Sequence, residues 1–237
     1  KELEPLFQKF LGFAGRPDLK SLMIVEHFGL NDKPEEPKIH TLVGESFITE
    51  RLFDLSFQIS PFSFFQTNTL AAEKLYSAIA SAADLSARDT VLDAYCGMGT
   101  IGQYLARYCE KVVGIEAHPS AVDDALRSAG NNRIGNISFY KGKVEQVLNQ
   151  QLKAGGKYKF NVIVVDPPRV GLHPQALSAV ITHRAEKVVY VSCNVATFSR
   201  DLGEFLKNGY ELRTVQPVDM FPHTAHVESV AKLVRRL

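Results

Sequence analysis

The chain has 237 residues, 45% of them hydrophobic and 22% charged, and a formal net charge of +1. That length and balance predict a folded chain with one large core, or a core plus a small appendage, and exclude collagen, coiled coil and intrinsic disorder. No apolar run reaches the roughly 18 residues of a membrane helix, and Lys1-Glu2-Leu3-Glu4 is no secretory leader, so a cytoplasmic, membrane-free protein is expected.

With 27 basic against 26 acidic residues the chain offers a polyanion no long-range field. Contact with nucleic acid must therefore come from a local patch or from a segment outside this chain. The absence of an initiator Met predicts a processed or truncated chain. The cysteines Cys96, Cys109 and Cys193 are odd in number and widely spaced, which fits neither a disulfide framework nor a metal cluster. No metal is expected.

In chain order, residues 1–60 read as a small mixed α+β subdomain: prolines at 5, 17, 34 and 37, an acidic-polar stretch at 31–36, and a short apolar run at 22–25. The boundary to a main domain over 61–237 falls near Ser60-Pro61. Asn68 or Thr69 can then cap a helix that stacks Ala71, Leu75, Ile79 and Ala83 on one face. From residue 90 onward short β-branched runs predict strands at 90–95, 111–116, 137–140, 160–166, 187–192, 212–216 and 228–234. Helix-length stretches at 101–108, 120–131, 144–152 and 174–184 separate the first five. That rhythm predicts an α/β fold with a seven-stranded, doubly wound, mostly parallel sheet. The last two strands, joined by a loop, should close it as an antiparallel hairpin.

Three motifs fall at predicted strand ends, where ligands sit in such sheets. Asp93-Ala94-Tyr95-Cys96-Gly97-Met98-Gly99-Thr100 ends one strand and opens a helix. Its Gly-x-Gly turn lets backbone approach a ligand, or serves simply as a tight connection. Glu116, 23 positions after Asp93, ends the next strand, where a carboxylate can accept both hydroxyls of a ribose. With no third glycine for a pyrophosphate, a nucleoside cofactor without phosphates, S-adenosylmethionine, suits the turn better. The second motif, Asp166-Pro167-Pro168-Arg169-Val170-Gly171, holds Asp166 on a stiffened backbone. The third, Val191-Ser192-Cys193-Asn194, supplies a candidate nucleophile. Cys96 and Cys109 read as small packing residues.

These residues resemble the RNA uracil C5 methyltransferase family, which makes 5-methyluridine with S-adenosylmethionine. Asp166-Pro-Pro-Arg-Val-Gly171, sixteen residues, and then Val188 to Thr197 are similar to its nucleophile segment. Val218-Asp219-Met220-Phe221-Pro222-His223-Thr224-Ala225-His226-Val227-Glu228 resembles its proton-acceptor segment. Ser63-Phe64-Phe65-Gln66-Thr67-Asn68 looks like its cofactor-contacting loop, and Tyr95-Cys96-Gly97-Met98-Gly99 like its glycine turn. The resemblance runs from about Gly44 to Leu237 and implies a Rossmann-like class I methyltransferase. It assigns Gln66, Tyr95, Gly97, Thr100, Glu116 and Asp166 to the cofactor, Cys193 as nucleophile and Glu228 as base. The compact ribosomal RNA type is most similar, partly through Phe221-Pro-His-Thr-Ala-His226, implying 23S ribosomal RNA over transfer RNA as partner and a monomer.

The chain departs from longer members in lacking their N-terminal cysteine cluster and an evident RNA-binding barrel. Lys143 stands where an acidic neighbour of adenine is more usual. The implied chemistry needs a thiolate: Cys193 adds to uracil C6, C5 becomes nucleophilic, and a base such as Glu228 removes the C5 proton before cysteine leaves. The target base must be unstacked, which makes Phe64, Phe65 and Phe221 candidate stacking surfaces. Arg127, Arg133, Arg169 and Arg200 are candidate phosphate contacts, and His223 and His226 can orient their loop or touch phosphate. Two other readings stay open: direct methylation of an exocyclic amine, which needs neither Cys193 nor Glu228, and a catalytically silent RNA-binding module.

Overall fold

The computed structural model describes residues 8–10, 12, 18–26, 38–153 and 158–236. The acidic-polar stretch at 31–36 lies outside the described residues. Before residue 60 the described strands form two antiparallel hairpins, β1 (Ser21–Glu26) with β2 (Lys38–Gly44) and β3 (Ile48–Leu52) with β4 (Leu55–Ile59), and residues 8–10 are helical. The second hairpin is bound tightly to later parts of the chain: Leu52 and Phe57 are fully buried in the same core as the next helix. Two amide contacts add to this, with Asn132 Oδ1 accepting from the Ser56 N–H at 2.9 Å and Asn132 Nδ2 donating to the Ser56 carbonyl at 3.0 Å.

Helix α1 (Thr69–Ala83) starts at Asn68, whose Oδ1 accepts the Ala71 N–H at 3.1 Å, and ends where Asp84 turns left-handed at φ 48°. Ala71, Leu75, Ile79 and Ala83 are all buried. Then come β5 (Thr90–Ala94), α2 (Thr100–Leu105) with a 3₁₀ turn (Ala106–Tyr108), β6 (Lys111–Glu116), α3 (Pro119–Asn131), β7 (Ile137–Lys141), α4 (Val144–Lys153), β8 (Val162–Val165) and α5 (Pro174–His183). The chain continues through β9 (Lys187–Ser192), α6 (Val195–Lys207), β10 (Tyr210–Val218) and β11 (Glu228–Arg235).

The seven strands of the main sheet lie in the order β10-β11-β9-β8-β5-β6-β7. All neighbouring pairs are parallel except those of β11, which runs antiparallel to both β9 and β10. The sheet is covered on both faces, so its central strands are apolar throughout rather than alternating: Val162, Ile163, Val164 and Val165 each show 0% exposure. Val91, Val164, Val189 and Val191 pack on one side with α1 and β3–β4. Leu92, Ile163, Val165, Val188 and Tyr190 pack on the other with α4, α5 and α6.

Helix α6 is not among the elements predicted from the sequence. Its signals are nonetheless present: the Asn194 side chain caps Ala196 N–H at 3.0 Å, and Phe198, Leu202 and Phe205 form a buried stripe. The 8-residue β11 and 9-residue β10 form the expected antiparallel hairpin, β10 being longer than the predicted 212–216. The chain reverses between β7 and β8 to the other side of β5, which opens the crevice at the carboxyl ends of β5 and β8.

Candidate functional site

The three strand-end motifs read from the sequence emerge at this carboxyl edge. Tyr95 follows β5, Glu116 ends β6, Asp166 follows β8 and Cys193 follows β9. Because β11 is reversed, its first residue lies at the same edge. Ser229 pairs with Ser192, so the next positions outward, Glu228 and Cys193, adjoin each other. Gln66 stands in the loop between β4 and α1, and Asn68 Nδ2 ties the end of that loop to the Met220 carbonyl at 3.0 Å.

The glycine turn is built by backbone geometry. Tyr95 (φ 63°), Gly97 (53°) and Gly99 (74°) are all left-handed. At Gly99 a Cβ would also lie 2.6 Å from the Phe139 ring, so only glycine fits. Glu116 spans the turn, Oε2 accepting the Gly97 N–H at 3.0 Å and Oε1 the His118 N–H at 2.8 Å. Beneath it Asp93 is fully buried, Oδ2 accepting the Gly102 N–H at 2.8 Å while Oδ1 has no partner. Burial, with Asp166 and Glu116 adding like charge, pushes the Asp93 carboxyl up to about 8. Thr100, opening α2, shares a 2.7 Å hydrogen bond with the buried Tyr76 hydroxyl from α1. Burial, followed by the carboxylates of Glu145, Asp201 and Glu116, pushes the Tyr95 phenol up to about 12.

The other half of the edge is electrostatically strained. Burial and the Glu228 carboxylate push Asp166 up to about 7. Burial raises Glu228, and the Arg169 guanidinium opposes that shift. The Cys193 thiol is raised by burial, then by Glu228 and Asp166, with Arg169 again acting the other way. Glu228 thus acts on both Asp166 and Cys193, Asp166 acts on Cys193, and Arg169 is the counter-charge to Cys193 and Glu228.

Arg169 is held by its backbone. Its carbonyl accepts Asn194 Nδ2 at 3.0 Å and Thr197 Oγ1 at 3.2 Å, binding the Asp166 loop to the Cys193 loop. The buried Asp201 completes the clamp, accepting the Leu172 N–H at 2.8 Å, the Tyr190 hydroxyl at 2.6 Å and Arg200 Nε at 2.8 Å. Gly171 (φ 77°) fits because a Cβ there would come within 2.5 Å of Arg200 Nη2.

The four arginines separate accordingly. Arg200 is spent on this clamp, also donating to the Val170 and Leu172 carbonyls, and Arg127 pairs with Asp124 at 2.7 Å. Arg133 occupies a left-handed turn position, φ 56°. Arg169 alone of the four acts on Cys193 and Glu228. Phe64 is 70% exposed, whereas Phe65 and Phe221 are partly buried against the core. Cys96 and Cys109 are buried. An open groove of about 530 Å³ between α4 and α5, lined in part by Glu145, contains none of the candidate site residues. Among the described residues no group of three or more His, Cys, Asp and Glu could hold a metal, and no helix is long and apolar enough to cross a membrane.

Sequence reasoning missed Tyr76, Asp124 and Asp201, whose partners lie far along the chain. It noticed Arg169 only as a phosphate contact, although its place in the Asp-Pro-Pro-Arg motif was a usable signal.

Comparison with known proteins agrees with this architecture. Residues 40–236 match the model of the tRNA (uracil-5-)-methyltransferase family. An uncharacterised RNA methyltransferase of Clostridium acetobutylicum is 46% identical over 97% of this chain and 49% of its own length. One from Bacillus cereus is 41% identical over 100% of this chain and 51% of its own. The crystal structure of the Pyrococcus abyssi tRNA (uracil-54, C5)-methyltransferase with S-adenosyl-L-homocysteine superposes with a TM-score of 0.73 at 34% identity, covering 92% of this chain and 51% of that one. The chain therefore spans about half the length of these relatives.

Proposed function

The chain belongs to the tRNA (uracil-5-)-methyltransferase family, and from that premise we propose that it methylates C5 of uracil in RNA, with S-adenosylmethionine as cofactor and a covalent Cys193 adduct at C6. The observation that carries the proposal is the β9–β11 register, which sets Glu228 beside Cys193 at the edge where Asp166 emerges. The residues present fit the cofactor: Glu116 and Asp166 stand at strand ends beside a left-handed glycine turn, carboxyl groups whose oxygens can accept hydrogen bonds from ribose hydroxyls and whose like charge suits a cationic ligand. Gln66, Tyr95, Gly97, Thr100, Glu116 and Asp166 would hold it. When bound, it supplies an electrophilic methyl group.

The protein's own groups then divide the work. Cys193, as thiolate, forms the bond to uracil C6, and Arg169 opposes the two carboxylates that disfavour the thiolate. Raised by burial, Glu228 is a stronger base than a solvated carboxylate and takes the C5 proton, after which the C6–sulfur bond breaks and cysteine departs. Phe64 offers a face on which an unstacked neighbouring base can lie.

We take ribosomal RNA as the substrate on the Phe221-Pro222-His223-Thr224-Ala225-His226 segment. The test has two arms. RNA carrying 5-fluorouridine at the target should form an adduct that survives denaturing electrophoresis, because fluorine cannot leave as a proton. Mass mapping of ribosomal and transfer RNA from cells with and without the gene should locate the missing 5-methyluridine. Methylation without any adduct would overturn the covalent mechanism and favour exocyclic-amine chemistry, and loss confined to transfer RNA would overturn the ribosomal assignment.

A further inference from the structure

Asp124 is a fully buried carboxylate on α3, distinct from the candidate cofactor and catalytic residues. Only one of its partners, Arg127 Nη1 at 2.7 Å, is on its own helix. Its other donors come from a loop more than sixty positions earlier: the Ser60 N–H at 3.0 Å, the Ser60 hydroxyl at 2.6 Å to either oxygen, and the Ser63 hydroxyl at 2.6 Å. The loop closes on itself through Ser63 N–H to the Ser60 carbonyl at 3.0 Å. Three residues later it presents Gln66, and between them Phe64 and Phe65.

Beyond the Asn68 tie to the Met220 carbonyl at its far end, the loop's other anchor is apolar. Phe62 and Phe64 are 46% and 70% exposed, and the apolar anchor is Phe65, tilted against Phe57 with ring centroids 5.9 Å apart. Asp124 also sits in the second turn of the helix that begins just after Glu116, whose carboxylate holds the His118 N–H before Pro119. One carboxylate therefore joins the loop bearing Gln66 to the helix following Glu116.

We propose that Asp124 is a positioning residue for cofactor binding, latching the 60–66 loop in its binding conformation so that the loop need not be ordered when the cofactor arrives. A preformed loop leaves more of the contact energy available as affinity. The inference rests on the reading of the loop through residues 63–68 and of Glu116 as cofactor contacts.

The test combines calorimetry with S-adenosylmethionine and amide hydrogen exchange on the full chain. Asp124→Ala should weaken cofactor binding at least tenfold and speed exchange at 60–66 while β5 and β8 keep wild-type protection. Asp124→Asn, which retains an acceptor oxygen, should fall between the two. If Asp124→Ala fails to fold, the Ser60→Ala/Ser63→Ala double variant keeps the Asp124–Arg127 pair and should still bind at least threefold more weakly.

Affinity within twofold of wild type in the foldable variants, with or without faster loop exchange, overturns the proposal. So does a rise in exchange spread equally over the central strands. Gln66→Ala and Glu116→Ala separate the premises: wild-type affinity in Gln66→Ala beside a weakened Asp124→Ala removes Gln66 from the site but leaves the latch standing. Wild-type affinity in Glu116→Ala overturns the cofactor reading itself.

Discussion

Around β5 and β6 the polar groups of the site already have partners: Asp93 accepts the Gly102 N–H, Glu116 accepts the Gly97 and His118 N–H groups, and the Thr100 hydroxyl shares a hydrogen bond with the Tyr76 hydroxyl. Around β8, β9 and β11 the opposite holds. Asp166, Cys193 and Glu228 are not tied down by other side chains in this way; like charge from Glu228 raises Asp166 and Cys193, and Arg169 opposes the shifts of Cys193 and Glu228. The first half is a preformed cradle whose disruption should cost structure as well as affinity. The second is braced by a clamp behind it, Asp201 with Tyr190 and Arg200. Substitutions in the two halves should therefore differ in kind.

The largest effect belongs to the second half. Cys193→Ala should lower turnover by on the order of 10³ or more and abolish the adduct, leaving cofactor affinity and melting temperature near wild type. Glu228→Gln should still add and methylate but release product slowly, so adduct should accumulate on denaturing gels. Normal turnover in Glu228→Gln, or adducts without Cys193, would remove this pair from the chemistry.

Next comes the cradle. Glu116→Ala removes charge-assisted hydrogen bonds worth about 1.5–3 kcal/mol each. Calorimetry should find S-adenosylmethionine binding weakened at least tenfold, and the Gly97 and His118 amides, having lost their acceptor, should exchange faster. Unchanged affinity would make Glu116 a brace for the turn and nothing more.

Much of this contrast was legible from residues alone, for a physical reason. A parallel strand buried on both faces must be apolar, so Val162 to Val165 announces itself, and a polar group directly after it announces the edge. Glu116, Asp166 and Cys193 were read that way, at or directly after a strand's end, and Asp93 from the glycine-turn motif its strand runs into. What was not legible depends on contacts between distant positions. Asp124 meets Ser60 across 64 residues and Asp201 meets Leu172 across 29, and neither has a local pattern that sets it apart from a solvated acid. Helix α6 had its cap and apolar stripe, but the motif Ser192-Cys193-Asn194 drew attention to chemistry at the position where Asn194 also acts as a helix start. The sharing of the β3–β4 core with α1 was hidden for the same reason: Leu52 and Phe57 look like any short strand until their partners are known.

A smaller effect tests whether Thr100 belongs to the cradle as a ligand or as a support. Thr100→Val leaves the Tyr76 hydroxyl buried and unpaired, which costs about 1–3 kcal/mol of stability. For a chain of this length each kcal/mol lowers the melting temperature by about 2–4 °C. A lower melting temperature with cofactor affinity intact would mark Thr100 as a support for Tyr76. A matching loss of affinity would mark it as a contact.

The smallest expected effect reads both halves at once through pH. Asp93 and Asp166 have carboxyls raised from 3.8 to about 8 and about 7, so in the free protein they keep their protons where the unfolded chain has already lost them. The folded state then binds more protons than the unfolded one, and stability falls as pH rises from about 4 through those values. His183, lowered by burial, works in the opposite sense below its ordinary value of 6.5, which makes pH 6.5 to 8 the clearest window. There the melting temperature of the cofactor-free protein should decline. Asp93→Asn mimics the protonated acid, since an amide oxygen can still accept the Gly102 N–H, and should flatten the decline while matching wild type at pH 6.5. Asp166→Asn should flatten it too, over the lower part of the window. A wild-type melting temperature that rises from pH 6.5 to 8 would mean that neither carboxyl is protonated in the folded chain, and the strain attributed to the second half would then be absent.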